Sequence, residues 1–139
     1  MNNNFIIEYL NENEYRKKEH AIKKYNRLAY KKLLFSFYRE FREGNFLGVE
    51  VSHNEKDNSF KYELKIPTDS MFNKVHGDII LHYTVYRNEN IIMLDDLTTN
   101  DNILTEGHQE ELTTYKGVMI SKSNAEKDIF KINLLNHFE

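Results

Sequence analysis

Two groups of side chains in this 139-residue chain have the types and spacing that chemistry needs. Glu63-Leu64-Lys65 lies where Phe60, Tyr62, Leu64 and Ile66 alternate with polar residues, so a strand there puts Glu63 and Lys65 on one face. The carboxylate could then hold a divalent ion while the lysine positions water or stabilises developing charge, with Glu50 or Asp57 as the upstream acid. The second group is His76, Asp78 and His82, which share strand parity, joined by Asp95 if a hairpin around residues 87–90 sets it opposite His82. Imidazole and carboxylate ligands of this kind suit zinc or manganese. Both groups also have a plain structural reading. Any amphipathic strand produces Glu-x-Lys, and a cross-strand His–Asp pair is more often an exposed polar contact. Neither group is therefore assigned a catalytic or metal role, and no cofactor is expected.

The Glu63-x-Lys65 element resembles that of PD-(D/E)xK nucleases, and the resemblance covers only these residues and the possible upstream acid. It implies metal-dependent nuclease chemistry, but the Pro-Asp pair of that family is missing. Other signatures are absent as well. The five glycines, at 44, 48, 77, 107 and 117, form neither a dinucleotide fingerprint nor a P-loop. The sequence has no His-Glu-x-x-His, no Gly-x-Ser-x-Gly and no EF-hand loop. With no cysteine, a thiolate nucleophile, a disulfide scaffold and a Cys-ligated metal are excluded, and a reducing compartment fits.

The elements that must position such residues are separated by charge. Net charge is −3, but residues 1–14 carry −3, residues 15–42 carry +8 and residues 43–139 carry −8. Such a division points to an interaction surface. The basic stretch lacks Gly and Pro, has Asn11 or Asn13 as N-cap and Gly44 just past its end, and predicts one long helix over 13–42. At 100° per residue Tyr15, Ile22, Tyr25, Ala29 and Leu33 form its inner stripe, and Arg16, Lys23, Lys24, Arg27 and Lys31 its outer face. Residues 33–38 are apolar nearly all round, which predicts cover by other elements on most sides.

Beyond Gly44 the period changes to two. Hairpins are expected from residues 47–52 with 60–66 and from 78–86 with 91–97. Gly117-Val118-Met119-Ile120-Ser121 and the residues after it echo Gly48-Val49-Glu50-Val51-Ser52 and its sequel. That echo favours a third hairpin, with a helix over 124–137 as its rival, while residues 99–116 read as a loop with a turn at 108–112. The expected architecture is α+β in one domain over 1–139. A long N-terminal helix in the basic region 1–44 packs against an antiparallel sheet of about five to six strands from β-hairpins in the acidic region 45–139.

The composition is globular, and the longest uninterrupted apolar run covers only residues 91–94, so no membrane span is expected and a cytoplasmic location is. Abundant Asn, one Pro and no Trp suggest a low-GC genome such as a Firmicute or one of its phages or plasmids. The functional expectation is a non-enzymatic interaction or inhibitor protein of a phage or mobile element. It would dock on a host protein or nucleoprotein such as a defence nuclease, in the manner of an anti-CRISPR protein. The alternative is nucleic-acid binding by the basic helix, through Arg16, Lys17, Lys23, Lys24, Arg27 and Lys31 with Tyr25 and Tyr30 interleaved, and after it a metal-dependent nuclease.

Overall fold

Phe5, Ile7 and Tyr9 are half-buried and alternate with the exposed Ile6 and Glu8, a two-residue period that forms strand β1 (Ile6–Tyr9). The chain, described by a computed structural model over residues 4–105 and as backbone at 112–115 and 118–121, falls into units 1–104 and 105–139. Asn11 then caps α1 (Glu12–Tyr25), its side chain accepting the Glu14 N–H at 3.2 Å.

The single helix expected over 13–42 is instead four consecutive segments. Asn26 breaks it: its backbone is extended (φ −152°, ψ 91°), its N–H donates to the Ile22 carbonyl at 2.8 Å, and its Oδ1 accepts the Ala29 N–H at 3.0 Å. That bond caps α2 (Arg27–Lys32), which runs on into a π-helical turn (Leu33–Phe37) and α3 (Tyr38–Arg42). Asn26 is 2% exposed, and its Nδ2 donates to Asp69 Oδ2 at 2.8 Å. Asp69 Oδ1 in turn accepts the Phe72 N–H at 2.8 Å and caps α4 (Ser70–His76), so one part-buried bond ties two helix starts together.

The π turn corrects the phase of the buried stripe. Tyr15, Glu19, Ile22, Asn26, Ala29 and Leu33 follow each other in steps of four and three, but the next buried residue, Tyr38, comes five later. The Tyr38 N–H donates to the Leu33 carbonyl, which is the wide turn that absorbs the extra residue. Phe35 is thereby left 66% exposed, contrary to the cover expected around residues 33–38.

The strands β2 (Val49–Asn54), β3 (Ser59–Ile66), β4 (Ile79–Tyr86) and β5 (Ile91–Thr98) form the antiparallel meander expected from their alternation. The sheet is nevertheless mixed, in the order β1-β5-β4-β3-β2, because β1 joins β5 in parallel. The helical layer is the crossover that such pairing requires; it leaves β1 at one edge and delivers the chain to β2 at the other. Ile79, Leu81, Tyr83 and Val85 of β4, with Ile92, Leu94 and Leu97 of β5, meet Tyr15, Ile22, Leu33 and Phe41 of the helical layer in one core. Phe41 and Tyr83 have ring centroids 4.3 Å apart, and the Tyr83 hydroxyl donates to the Leu47 carbonyl.

At the start of β2, Gly48 has φ +97°, and a Cβ there would run into the Glu63 carbonyl. Gly48→Ala is expected to cost about 2 kcal/mol or more, read as a lower urea midpoint with an unchanged m-value. In the second unit Val118–Ser121 is the strand expected, but it pairs backward with Leu112–Tyr115, a segment expected to be loop and turn. The segment 124–137 lies outside the described residues. Among the described residues no helix is long and apolar enough to cross a membrane.

Candidate functional site

The helical layer separates its cations into two sets. Arg16 is exposed but paired within the chain: its Nε lies 2.9 Å from Glu12, its Nη1 3.9 Å from Glu19, and its guanidinium 5.0 Å from the Tyr9 ring centroid. Lys18 reaches across to Asp96 on β5 at 2.6 Å. Lys23 sits over the Tyr30 ring at 5.7 Å and Lys24 over Tyr25 at 5.1 Å, while both rings also rest half-buried against the core. By contrast, Lys17, Arg27, Lys31 and Lys32 are exposed and make no ion pair with the described residues. Tyr15, on the inner stripe expected from the sequence, is buried. Tyr38 donates to Glu19 Oε2 at 2.6 Å, which leaves Tyr15 to donate to the Tyr38 oxygen at 2.7 Å. Burial pushes the Tyr15 and Tyr38 hydroxyls far above the ordinary tyrosine value.

Two apolar side chains stand in the midst of the free cations. Leu28 is 48% exposed and Phe35, two helical turns later, 66% exposed. Sequence reasoning missed both, together with Lys32. Leu28 is off the buried stripe at 22, 29 and 33, and that signal was present in the spacing; Phe35 depends on the π turn, which no local pattern announces.

The opposite side of the sheet carries the groups first considered for catalysis and metal binding. Glu63 and Lys65 do share a strand face, but Glu63 Oε2 lies 3.5 Å from His82 Nδ1 and Lys65 Nζ lies 3.6 Å from Asp78 Oδ2. Glu50 is in register with Tyr62, on the other face from Glu63, and Asp57 sits in the β2–β3 turn. The upstream acid that the nuclease resemblance calls for is thus not brought to Glu63.

The expected His82–Asp95 pairing is displaced by a register shift between His82 and Tyr83. Asp96 takes the place opposite His82, and Asp95 becomes the extra residue of a bulge. Asp95 Oδ2 accepts the Thr84 hydroxyl at 2.6 Å, and Lys61 Nζ donates to the same hydroxyl oxygen at 3.3 Å. Burial holds the Asp95 carboxyl above the usual carboxylate range, with the Thr84 bond and Lys61 opposing it. His82 Nε2 is 2.8 Å from Thr98 Oγ1. His76, placed by sequence on the strand face, ends α4 instead and pairs with Asp101 at 2.7 Å, a bond that lowers the Asp101 carboxyl. Asp78 accepts from Asn73 at 2.6 Å. Among the described residues no three His, Asp or Glu side chains converge as a metal-ligand set.

Comparison with known protein families, with curated proteins and with solved structures gives no match to this chain.

Proposed function

We propose that this chain acts by binding, and that its helical layer docks on an acidic protein surface, either a protein alone or the protein part of a nucleoprotein. One observation carries the reading: Lys17, Arg27, Lys31 and Lys32 stand exposed without an ion pair to any described residue, whereas Arg16 and Lys18 on the same helical layer are satisfied internally. Uncompensated cations on one side of a chain whose net charge is −3 favour an anionic partner over a merely solvated face. The burial of Tyr15 and the half-burial of Tyr25 and Tyr30 withdraw the stacking rings that a single-stranded nucleic acid would use, which favours protein over nucleic acid. An accessory protein of a phage or mobile element that blocks a host complex, such as a defence nuclease, is a concrete form of this activity.

The test is a salt titration with poly-L-glutamate and with random-sequence single-stranded DNA, using the native chain and the K17E/R27E/K31E/K32E variant. The native chain is expected to bind polyglutamate and to lose it in the variant. Equal binding by the variant, or none by the native chain even at low salt, would overturn the reading. Preferential binding of DNA, with a log K against log salt slope that falls by about 0.7 for each cation removed, would establish the nucleic-acid alternative.

A further inference from the structure

We propose that the face carrying Leu28 and Phe35 receives an acidic amphipathic helix of the partner protein, a specification that rests on the binding reading above. Within α2, at 100° per residue, Arg27 and Lys31 fall on one side of Leu28 and Lys32 on the other. Phe35 follows seven residues on, about 10 Å along the axis, set off from Leu28 toward the Arg27 and Lys31 side by the wide π turn. The face is therefore an apolar seam with cations along both margins. An occupant complementary to it has apolar side chains in a row, repeating every three to four residues, with carboxylates on both flanks, which is one side of an acidic amphipathic helix. Leu28 argues against a nucleic acid here, since an aliphatic side chain offers no stacking surface and Phe35 alone makes no platform for successive bases. Both apolar groups are exposed, so neither is required for the chain's own core.

The experiment uses the full chain and three labelled probes read by fluorescence anisotropy at about 150 mM salt. The first is a Leu/Glu peptide of about 20 residues with leucines on one helical face; the second is its scramble with the leucines spread around the helix. The third is an oligothymidylate. The amphipathic peptide is expected to bind about tenfold more tightly than its scramble, the L28S/F35S variant to lose that advantage but retain the weaker binding, and K31E/K32E to weaken both peptides. Equal affinity for the two peptides, or an unchanged preference in L28S/F35S, would overturn the amphipathic specification and leave the acidic-surface reading standing. Tighter binding of the oligothymidylate than of either peptide would overturn it in favour of a nucleic acid. Failure of the native chain to bind either peptide even at low salt would overturn both. Thermal unfolding of each variant separates lost contacts from lost fold.

Discussion

Raising the pH above about 10 will unfold this protein over a narrow range. Tyr15, Tyr38 and Tyr83 are buried, and burial is the leading cause that raises each hydroxyl above the ordinary value of 10.0. For Tyr38 the neighbouring Tyr15 and Glu19 push the same way, and for Tyr83 Tyr62 does. The folded state thus keeps these protons where the unfolded chain releases them. The stabilisation is fully present below the unfolded value and is lost as pH rises beyond it, at about 1.4 kcal/mol per pH unit for each group. Three groups acting together remove about 4 kcal/mol per unit, so two units above pH 10 consume as much as an ordinary domain's whole stability. Urea midpoints measured from pH 8 to pH 11.5 should be level up to about 10 and then fall steeply. Tyr15→Phe should flatten that fall by about a third, because one titrating group is gone while Tyr38 still donates to Glu19. A midpoint that stays level to pH 11 would show that these hydroxyls titrate as freely folded as unfolded.

Much of the sheet was legible because its signals are local. Ile79, Leu81, Tyr83 and Val85 alternate in the sequence and all face the core, and Arg87 to Asn90 forms the turn between β4 and β5. β1 carried the same alternation in Phe5, Ile7 and Tyr9, but in only four residues, and its parallel partner lies more than eighty positions away. Asn26 illustrates a competition between propensities. Its neighbours favour a continuous helix, while its own side chain is a good cap; the part-buried bond to Asp69 favours the break, and that partner lies 43 residues on. The one-residue register shift at His82 had the largest consequence for the candidate site. It exchanges Asp95 for Asp96 opposite His82, and with that the arrangement first considered for a metal gives way to separate hydrogen-bonded pairs. The charge division between helices and sheet was visible at once. Which cations remain free of partners was not, because Lys18 is satisfied by a residue 78 positions away.

Exchanging the two side chains of the Asn26–Asp69 bond should restore most of what either change alone removes. Asn26→Ala deletes the cap of α2, worth about 1 kcal/mol, and removes the part-buried bond to the exposed Asp69, worth about 1 kcal/mol more, for a total of about 2 kcal/mol. N26D keeps an oxygen to accept the Ala29 N–H but puts a carboxylate at a buried position within hydrogen-bond distance of the Asp69 carboxylate, and should destabilise by at least as much at neutral pH. D69N keeps one oxygen for the Phe72 N–H but turns its NH2 toward the Asn26 NH2, so it retains the α4 cap and loses the bond between the two residues, at a cost of about 1 kcal/mol. In the double variant N26D/D69N each residue retains the cap oxygen for its own helix, and the amide now donates to the carboxylate in the reverse direction. The pair should therefore be more stable than the sum of the single changes by about 1 to 3 kcal/mol, measured as a double-mutant cycle from urea unfolding at pH 7. Additive losses would mean that the two caps act independently and that the bond between them contributes nothing to holding α2 against α4. A positive coupling would show that this one part-buried contact helps to set the bend of the helical layer. The exposed turn of α2 that carries Leu28, Lys31 and Lys32 would then owe its direction to a residue of the loop before α4.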